Sequence, residues 1–300
     1  MWLLLAFASA SLLGLYDITK KRAVTDNAVL PVLLLNTLFS TLIFTPIILD
    51  AELDLGWFDG TQLEAQSRGL RDHAMVMLKA VIVLTSWVLG YFAIKHLPLS
   101  IVGPINATRP VVTLVGAMVL FSERLNAWQW AGVILTLISL FLLSRSSRKE
   151  GIKFSSNHWI LMLVLAALVG SISGLYDKYI MTWMDAIFVQ GWYNFYQCLI
   201  MSVIVMFLWY PTRQRTTRFR WSWAIPLISI MLSCADFAYF WALSDSDAMI
   251  SIVSMIRRGS VIVSFAYAAM ILREKNLKGK ALDLLFILIG MIFLYIGSKS

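Results

Sequence analysis

Long apolar runs broken by short charged or proline-bearing stretches set the rhythm of this 300-residue chain. The runs are about 18 to 24 residues each, the length an α-helix needs to cross roughly 30 Å of hydrocarbon at about 1.5 Å per residue. None shows the period-two alternation of a membrane barrel strand. Reading the breaks places ten spans at 2–20, 28–48, 73–94, 99–121, 127–144, 158–181, 187–209, 223–243, 248–271 and 278–297. One connection is long. Segment 49–72 carries Asp50, Glu52, Asp54, Asp59, Glu64 and Asp72 with Gly56 and Gly60, and is expected to be solvated, with room for a short surface helix.

The pattern repeats. Ser11-Leu12-Leu13-Gly14-Leu15-Tyr16-Asp17 returns as Ser171-Ile172-Ser173-Gly174-Leu175-Tyr176-Asp177, each copy setting an acid inside an apolar run. Asn36 has a counterpart near Asn194, and Tyr91-Phe92-Ala93 recurs as Tyr239-Phe240-Trp241. The fourth span begins Ser100-Ile101-Val102 and ends at Glu123; the ninth begins Ser251-Ile252-Val253 and ends at Glu274. An odd number of spans per half makes the second half enter the membrane from the opposite side. The expected fold is therefore all-α, with ten transmembrane helices as two inverted five-helix repeats, 1–146 and 158–300, joined by a cytoplasmic linker at 147–157.

Composition agrees with this reading, since 59% of residues are hydrophobic and only 14% charged. Ala8-Ser9-Ala10 has the form of a signal-peptide cleavage site, but no basic residue precedes the first span and the segment recurs internally, so it is kept as a span. Cys198 and Cys234 fall in predicted helices and read as small apolar residues.

Lys and Arg collect on alternate loops: Lys20 to Arg22, Lys95, Arg145 to Lys153, Arg213 to Arg220 and Arg273 to Lys280. The other loops hold only Arg68, Arg71, Arg124 and the tail Lys299. The positive-inside rule makes the first set cytoplasmic and both termini extracytoplasmic, as in a multi-pass protein of a bacterial cytoplasmic (inner) membrane. The net charge of +8 then reflects topology and anionic lipid, with no nucleic-acid partner.

Several polar side chains at membrane depth are candidates for function. Asn106, Arg109, Thr113 and Gly116 form one stripe on the fourth span, and Arg257, Ser260, Ser264 and Tyr267, with Ser254 one turn before, form its counterpart on the ninth. Arg109 and Arg257 are expected to look into one space, with Arg258 on the adjoining face. Guanidinium groups match carboxylate or phosphate oxygens in a bidentate fork, and equally they can neutralise Asp17, Asp177 and Asp236 in fixed ion pairs. Small residues at Ala10, Gly14, Gly170 and Gly174 allow close helix approach, which makes Asp17 and Asp177 structural anchors as readily as coupling sites. Asp236 aligns with the apolar Val88 and is the stronger candidate for a coupling proton. Asn36, Ser40, Trp87, Tyr91, Tyr193, Asn194, Gln197 and Tyr239 supply hydrogen bonds and stacking for a pocket. Trp57, Trp128, Trp130, Trp209, Trp221 and Trp223 read as interface belts, and Glu123 and Glu274 as caps or surface pairs.

Two five-span halves, Pro104 and Pro110 in the fourth span, Ser122-Glu123-Arg124-Leu125 followed by Trp128-Gln129-Trp130-Ala131-Gly132-Val133, and Arg273-Glu274-Lys275-Asn276-Leu277 resemble the EamA family of the drug/metabolite transporter superfamily. The resemblance covers essentially the whole chain. It implies alternating access through a central cavity lined mainly by spans 1 to 4 and 6 to 9, with spans 5 and 10 supporting from outside; the residues themselves point to no cofactor, metal or catalytic group. The doublet Arg257-Arg258 resembles the superfamily's organophosphate carriers, in which basic residues of the fourth and ninth spans hold the phosphate. Many relatives keep both termini in the cytoplasm, against the charge bias here.

The reading is a secondary transporter, proton- or exchange-coupled, for a small polar solute of anionic character, phosphorylated metabolites included, in the lipid bilayer as a monomer or homodimer. Two alternatives stay open: an exporter of amino acids or similar neutral or zwitterionic metabolites, and a lipid-phosphate flippase using the same arginines. An enzyme is not expected, since His73, His96 and His158 lie at membrane ends and no metal-ligand spacing or Gly-rich phosphate loop is present.

Overall fold

The computed structural model describes residues 1–24, 27–61, 63–96, 105–106, 108–145, 158–260, 262–263 and 277–298. Every regular element among them is helical: α1 (Trp2–Val24), α2 (Val29–Leu53), α3 (Leu70–His96), α4 (Arg109–Leu120), α5 (Ala127–Arg145), α6 (His158–Ile180), α7 (Ala186–Ile204, continued by a π-helical turn at Val205–Trp209), α8 (Ala224–Leu243), α9 (Ile250–Arg258) and α10 (Leu277–Gly297). Among the described residues six helices are long and apolar enough to cross a membrane: Trp2–Val24, Val29–Leu53, Leu70–Gly90, His158–Ile180, Ala186–Trp209 and Ala224–Leu243. Shorter apolar helices occupy Arg109–Leu120, Ala127–Ser139 and Leu285–Gly297. The linker at 147–157, the Ser100-Ile101-Val102 and Pro104 positions, and Ser264, Tyr267 and Glu274 lie outside the described residues.

Helix packing is reciprocal between the first and second halves of the chain. α1 runs along α8, and α3 along α6; α2 lies on α7, α4 meets α9, and α5 pairs with α10. α1 also touches α9, and α4 touches α6. Where backbones must come close, the sequence supplies glycine. A Cβ on Gly132 of α5 would sit 2.7 Å from the Gly290 carbonyl of α10, so no larger residue fits that crossing. Large aliphatic side chains such as Leu42, Val115, Leu161 and Ile292 stay exposed, which suits an environment of lipid rather than water.

The acidic connection after α2 contains no helix among its described residues, so the room it has for a short surface helix is not used there. α2 instead runs on to Leu53 and ends in left-handed geometry at Asp54, with φ 52°. Asp50 then organises the turn: its carboxylate accepts the Trp57 amide at 2.7 Å and the Phe58 amide at 3.2 Å. Those amides have no helical partner, so the side chain satisfies them in place of another helical turn. Further along, Arg68 donates to Asp185 at 2.9 Å and to the Trp183 carbonyl at 3.1 Å, tying this connection to the turn between α6 and α7. Burial opposes the Arg68 charge, but the hydrogen bonds and charges of Asp185 and Asp72 outweigh it and raise the group above the usual arginine range.

Candidate functional site

A cavity of about 290 Å³ opens at the centre of the packed helices, lined from α1, α3, α4, α6, α7, α8 and α9. Its wall holds five cations, Lys20, Lys79, Arg109, Arg257 and Arg258, against three carboxylates, Asp17, Asp177 and Asp236. The excess is positive. How those charges are partnered decides what the cavity can bind, because an unpaired charge at this depth costs several kcal/mol.

Two of the acids are occupied. Asp236 on α8 accepts a hydrogen bond from Arg257 Nη2 at 2.9 Å, one turn of α9 holding the arginine against the carboxylate. The Tyr239 ring covers the same guanidinium, with its centroid 4.0 Å from Arg257 Cζ. Asp177 on α6 is paired with Lys79 of α3, Nζ to Oδ1 at 2.5 Å, and its other oxygen accepts the Tyr239 hydroxyl at 3.1 Å. Rings from Tyr193 and Phe240 lie 4.2 and 4.6 Å from the Lys79 ammonium and complete its enclosure.

Arg109 is held differently. Its Nη2 donates to the Ala166 carbonyl of α6 at 3.2 Å, and the guanidinium lies over Gly170, where a Cβ would come within 3.1 Å of Nη1. Ser171 Oγ donates to the Arg109 carbonyl at 3.1 Å, so the start of α4 is pinned to α6 from both its side chain and its backbone. Neither Arg109 nor Arg258 has a carboxylate within ion-pair distance among the described residues, and the Nε of each lacks a partner. Arg258 lies within the electrostatic reach of Arg109, Arg257 and Asp17. Asp17 is solvent-accessible on the cavity wall and likewise makes no ion pair among the described residues.

Of the residues singled out from sequence, Arg109, Thr113, Arg257, Arg258, Tyr239, Asp17, Asp177 and Asp236 all line this cavity, together with Trp87, Tyr193, Ser254 and Ser260. Asn36, Asn106, Asn194 and Gln197 do not. Asn36, Asn194 and Gln197 are buried in α2 and α7, next to a seam where Ser233 Oγ and Ser40 Oγ are 3.1 Å apart and Gln190 Nε2 donates to the Ser233 carbonyl at 2.7 Å. Among the described residues these amides are not part of the cavity wall, and Gln197 bonds instead to Tyr193, which is. The Tyr91 side chain lies outside the described residues.

Lys79 is the residue that sequence reasoning missed. Its signal was present: a single cation in the apolar run Val76-Met77-Leu78-Lys79-Ala80-Val81 of the third span. Glu123, read as a cap, caps a helix of the other half: it accepts the Ile250 amide at 2.7 Å and the Ser251 amide at 3.3 Å, and also receives the Ser251 hydroxyl.

Comparisons with known proteins agree with this architecture. Residues 1–145 match the EamA-like transporter family, which belongs to the drug/metabolite transporter superfamily. No curated protein matches the chain. A solved structure described only as a crystal structure of a protein aligns with 99% of this chain and 97% of its own, with a TM-score of 0.71 at 13% sequence identity, a likeness of fold alone. Apolar helices of membrane-spanning length mark the chain as an integral multi-pass membrane protein, and residues 1–145 are similar to the EamA-like transporter family, whose members are transporters of small molecules.

Proposed function

We propose that the protein is a secondary transporter of a small polar anion, phosphorylated metabolites included, which it carries by alternating access between two inverted five-helix halves at 1–146 and 158–300. The reciprocal packing of α1 on α8 and α3 on α6, with α2 on α7, α4 on α9 and α5 on α10, supports the two-half reading. Helices so exchanged can rock about the cavity without separating. One observation carries the anionic reading. Arg109 and Arg258 face a common cavity and, among the described residues, neither makes an ion pair with a carboxylate, although Asp17 lies within electrostatic reach of Arg258, while Asp177 and Asp236 already have cations of their own. Planar guanidinium groups suit carboxylate and phosphate oxygens, and a site that waits for an anion keeps such groups unpaired until it arrives.

Arg257 takes a different part from the one its sequence position suggests. Its bond to Asp236 and its ring contact with Tyr239 make it a support for the cavity wall, so Arg109 and Arg258 are the proposed anion ligands. The test is ligand-induced thermal stabilisation of purified protein against a panel of organic phosphates, carboxylates and amino acids, because a ligand that binds the folded state raises its melting temperature. Arg109→Gln should abolish the shift produced by the best anion while leaving the unliganded melting temperature close to wild type. An undiminished shift in that variant would remove Arg109 from the site.

A second reading is favoured by Asp17. An accessible carboxylate that makes no ion pair among the described residues, in the same cavity as Arg109, is what the ammonium and carboxylate of an amino acid would need. The same panel separates the two readings: stabilisation by amino acids that is lost in Asp17→Asn favours the zwitterion, and stabilisation by phosphate esters that survives Asp17→Asn favours the anion.

A further inference from the structure

We infer that Lys79 and Asp177 couple solute movement to proton movement, Asp177 carrying the proton and Lys79 being the group an incoming anion draws away from it. The inference rests on the anionic reading of the cavity. The two side chains are 2% and 7% exposed, so the pair is nearly dry, yet both residues form part of the cavity wall. Among the described residues Asp177 has one other donor, the Tyr239 hydroxyl. Among the described residues Lys79 pairs with no second carboxylate, and the faces of Tyr193 and Phe240 lie against its ammonium.

A carboxylate this buried stays ionised only while its cation is beside it. Lysine carries a compact charge on a flexible four-carbon stem, so it can turn from Asp177 towards an anion held on Arg109 without backbone movement. The bare Asp177 carboxylate then takes one proton from cavity water onto Oδ1, while Tyr239 continues to donate to Oδ2. Lys79 remains an ammonium throughout. One proton bound on Asp177 thus balances one negative charge brought by the solute, and the two cross together. When the anion leaves on the far side, Lys79 returns to Asp177 and the proton goes back to water.

Other charged groups around Asp177 are fixed or differently placed. Asp236 of α8 is held by Arg257 of α9, Arg109 of α4 is bonded to the α6 backbone, and Arg258 of α9, Tyr193 of α7 and Lys20 of α1 stand on the same wall. Asp17 occupies the matching place in the first repeat but has no equivalent lysine. The alignment that sets Val88 against Asp236 and Tyr91 against Tyr239 sets Lys79 against Leu227. The second copy of the Gly-Leu-Tyr-Asp phrase therefore carries a lysine pair that the first copy does not repeat at the aligned position, Asp17 lying instead near Lys20, Arg257 and Arg258.

The experiment uses the full chain in proteoliposomes with inorganic phosphate and glycerol 3-phosphate as probes. Wild type should exchange internal for external probe and should accumulate it when an inward proton gradient is imposed. Lys79→Gln/Asp177→Asn, which removes both charges together, should exchange more slowly and fall to an accumulation ratio of about one under the same gradient. Accumulation at the wild-type level in that variant would overturn the inference. Absence of exchange in wild type would instead overturn the anionic reading beneath it. A measurement on wild type alone guards against a variant that fails to fold: probe entering down its own gradient should acidify the vesicle interior, read with a trapped pH dye, and entry without acidification would overturn the coupling.

Discussion

Arg257 Nη2 donates to Asp236 Oδ1 at 2.9 Å, and the two side chains are only 18% and 17% exposed. This pair joins α8 to α9 within the second half of the chain, so it fixes the shape of the cavity wall without bridging the two halves. Its environment lies between an exposed pair, worth about 0–1 kcal/mol, and a fully buried one, whose rupture costs about 3–5 kcal/mol. Asp236→Asn and Arg257→Gln should each destabilise the protein by roughly 2 kcal/mol. The double variant should lose less than their sum, since neither charge is then stranded. Thermal unfolding of the four proteins in detergent measures the cycle; additive losses would show that the pair makes no joint contribution.

Gly14 and Gly174 hold the same place in the repeated phrase and have opposite surroundings. A Cβ on Gly14 would lie 2.8 Å from the Ser260 carbonyl, a backbone atom that cannot move aside, whereas the nearest atom to a Cβ on Gly174 is Tyr239 Oη at 3.9 Å. Gly14→Ala should therefore cost about 1–3 kcal/mol, as overpacking does, and lower the yield of folded protein. Gly174→Ala should leave stability unchanged or raise it by up to about 1 kcal/mol, since alanine favours the helix. Melting temperatures that fall equally in both variants would contradict this difference.

The same contrast marks the limit of what the sequence carries. Apolar runs and charged breaks locate the helices because crossing length and desolvation act on the chain locally. The polar stripes on the fourth and ninth spans lead to Arg109, Arg257 and Arg258 for the same reason. Partner choice is not local. The pairing of Asp177 with Lys79, 98 positions away, depends on α3 lying along α6, and nothing in either segment names the other. Asn36, Asn194 and Gln197 show the converse: polar residues in a helix are legible, but whether they face a cavity or a neighbouring helix depends on the rotation of that helix in the bundle.

Glu123 reaches from the end of the first half to the start of α9, where its carboxylate accepts the Ile250 and Ser251 amides. The first amides of a helix have no partner within it, so a side chain from elsewhere does the work of an N-cap. Glu123→Ala should cost about 1 kcal/mol, and Glu123→Gln less, because one amide oxygen still accepts. Hydrogen exchange at Ile250 and Ser251 gives a local reading. Protection lost at those amides, with the rest of α9 unchanged, is the expected result; unaltered protection would mean that the cap contributes nothing to holding the helix start.

The acidic connection between α2 and α3 gives a test of the expected orientation. It holds few basic residues, while Arg213, Arg215, Arg218 and Arg220 crowd the connection between α7 and α8. By the positive-inside rule a charge bias of this kind predicts an extracytoplasmic first connection and a cytoplasmic second one. Asp50 and Arg68 fix the first connection at both ends, so an exposed position such as Gln66 stands in a defined, accessible place. Gln66→Cys, made together with Cys198→Ser and Cys234→Ala, should react in intact cells with a membrane-impermeant maleimide. A cysteine at Arg215 in the same background should react only after the membrane is opened. The reverse pattern would place both termini in the cytoplasm and overturn the orientation drawn from charge, while leaving the cavity and its pairing as they are.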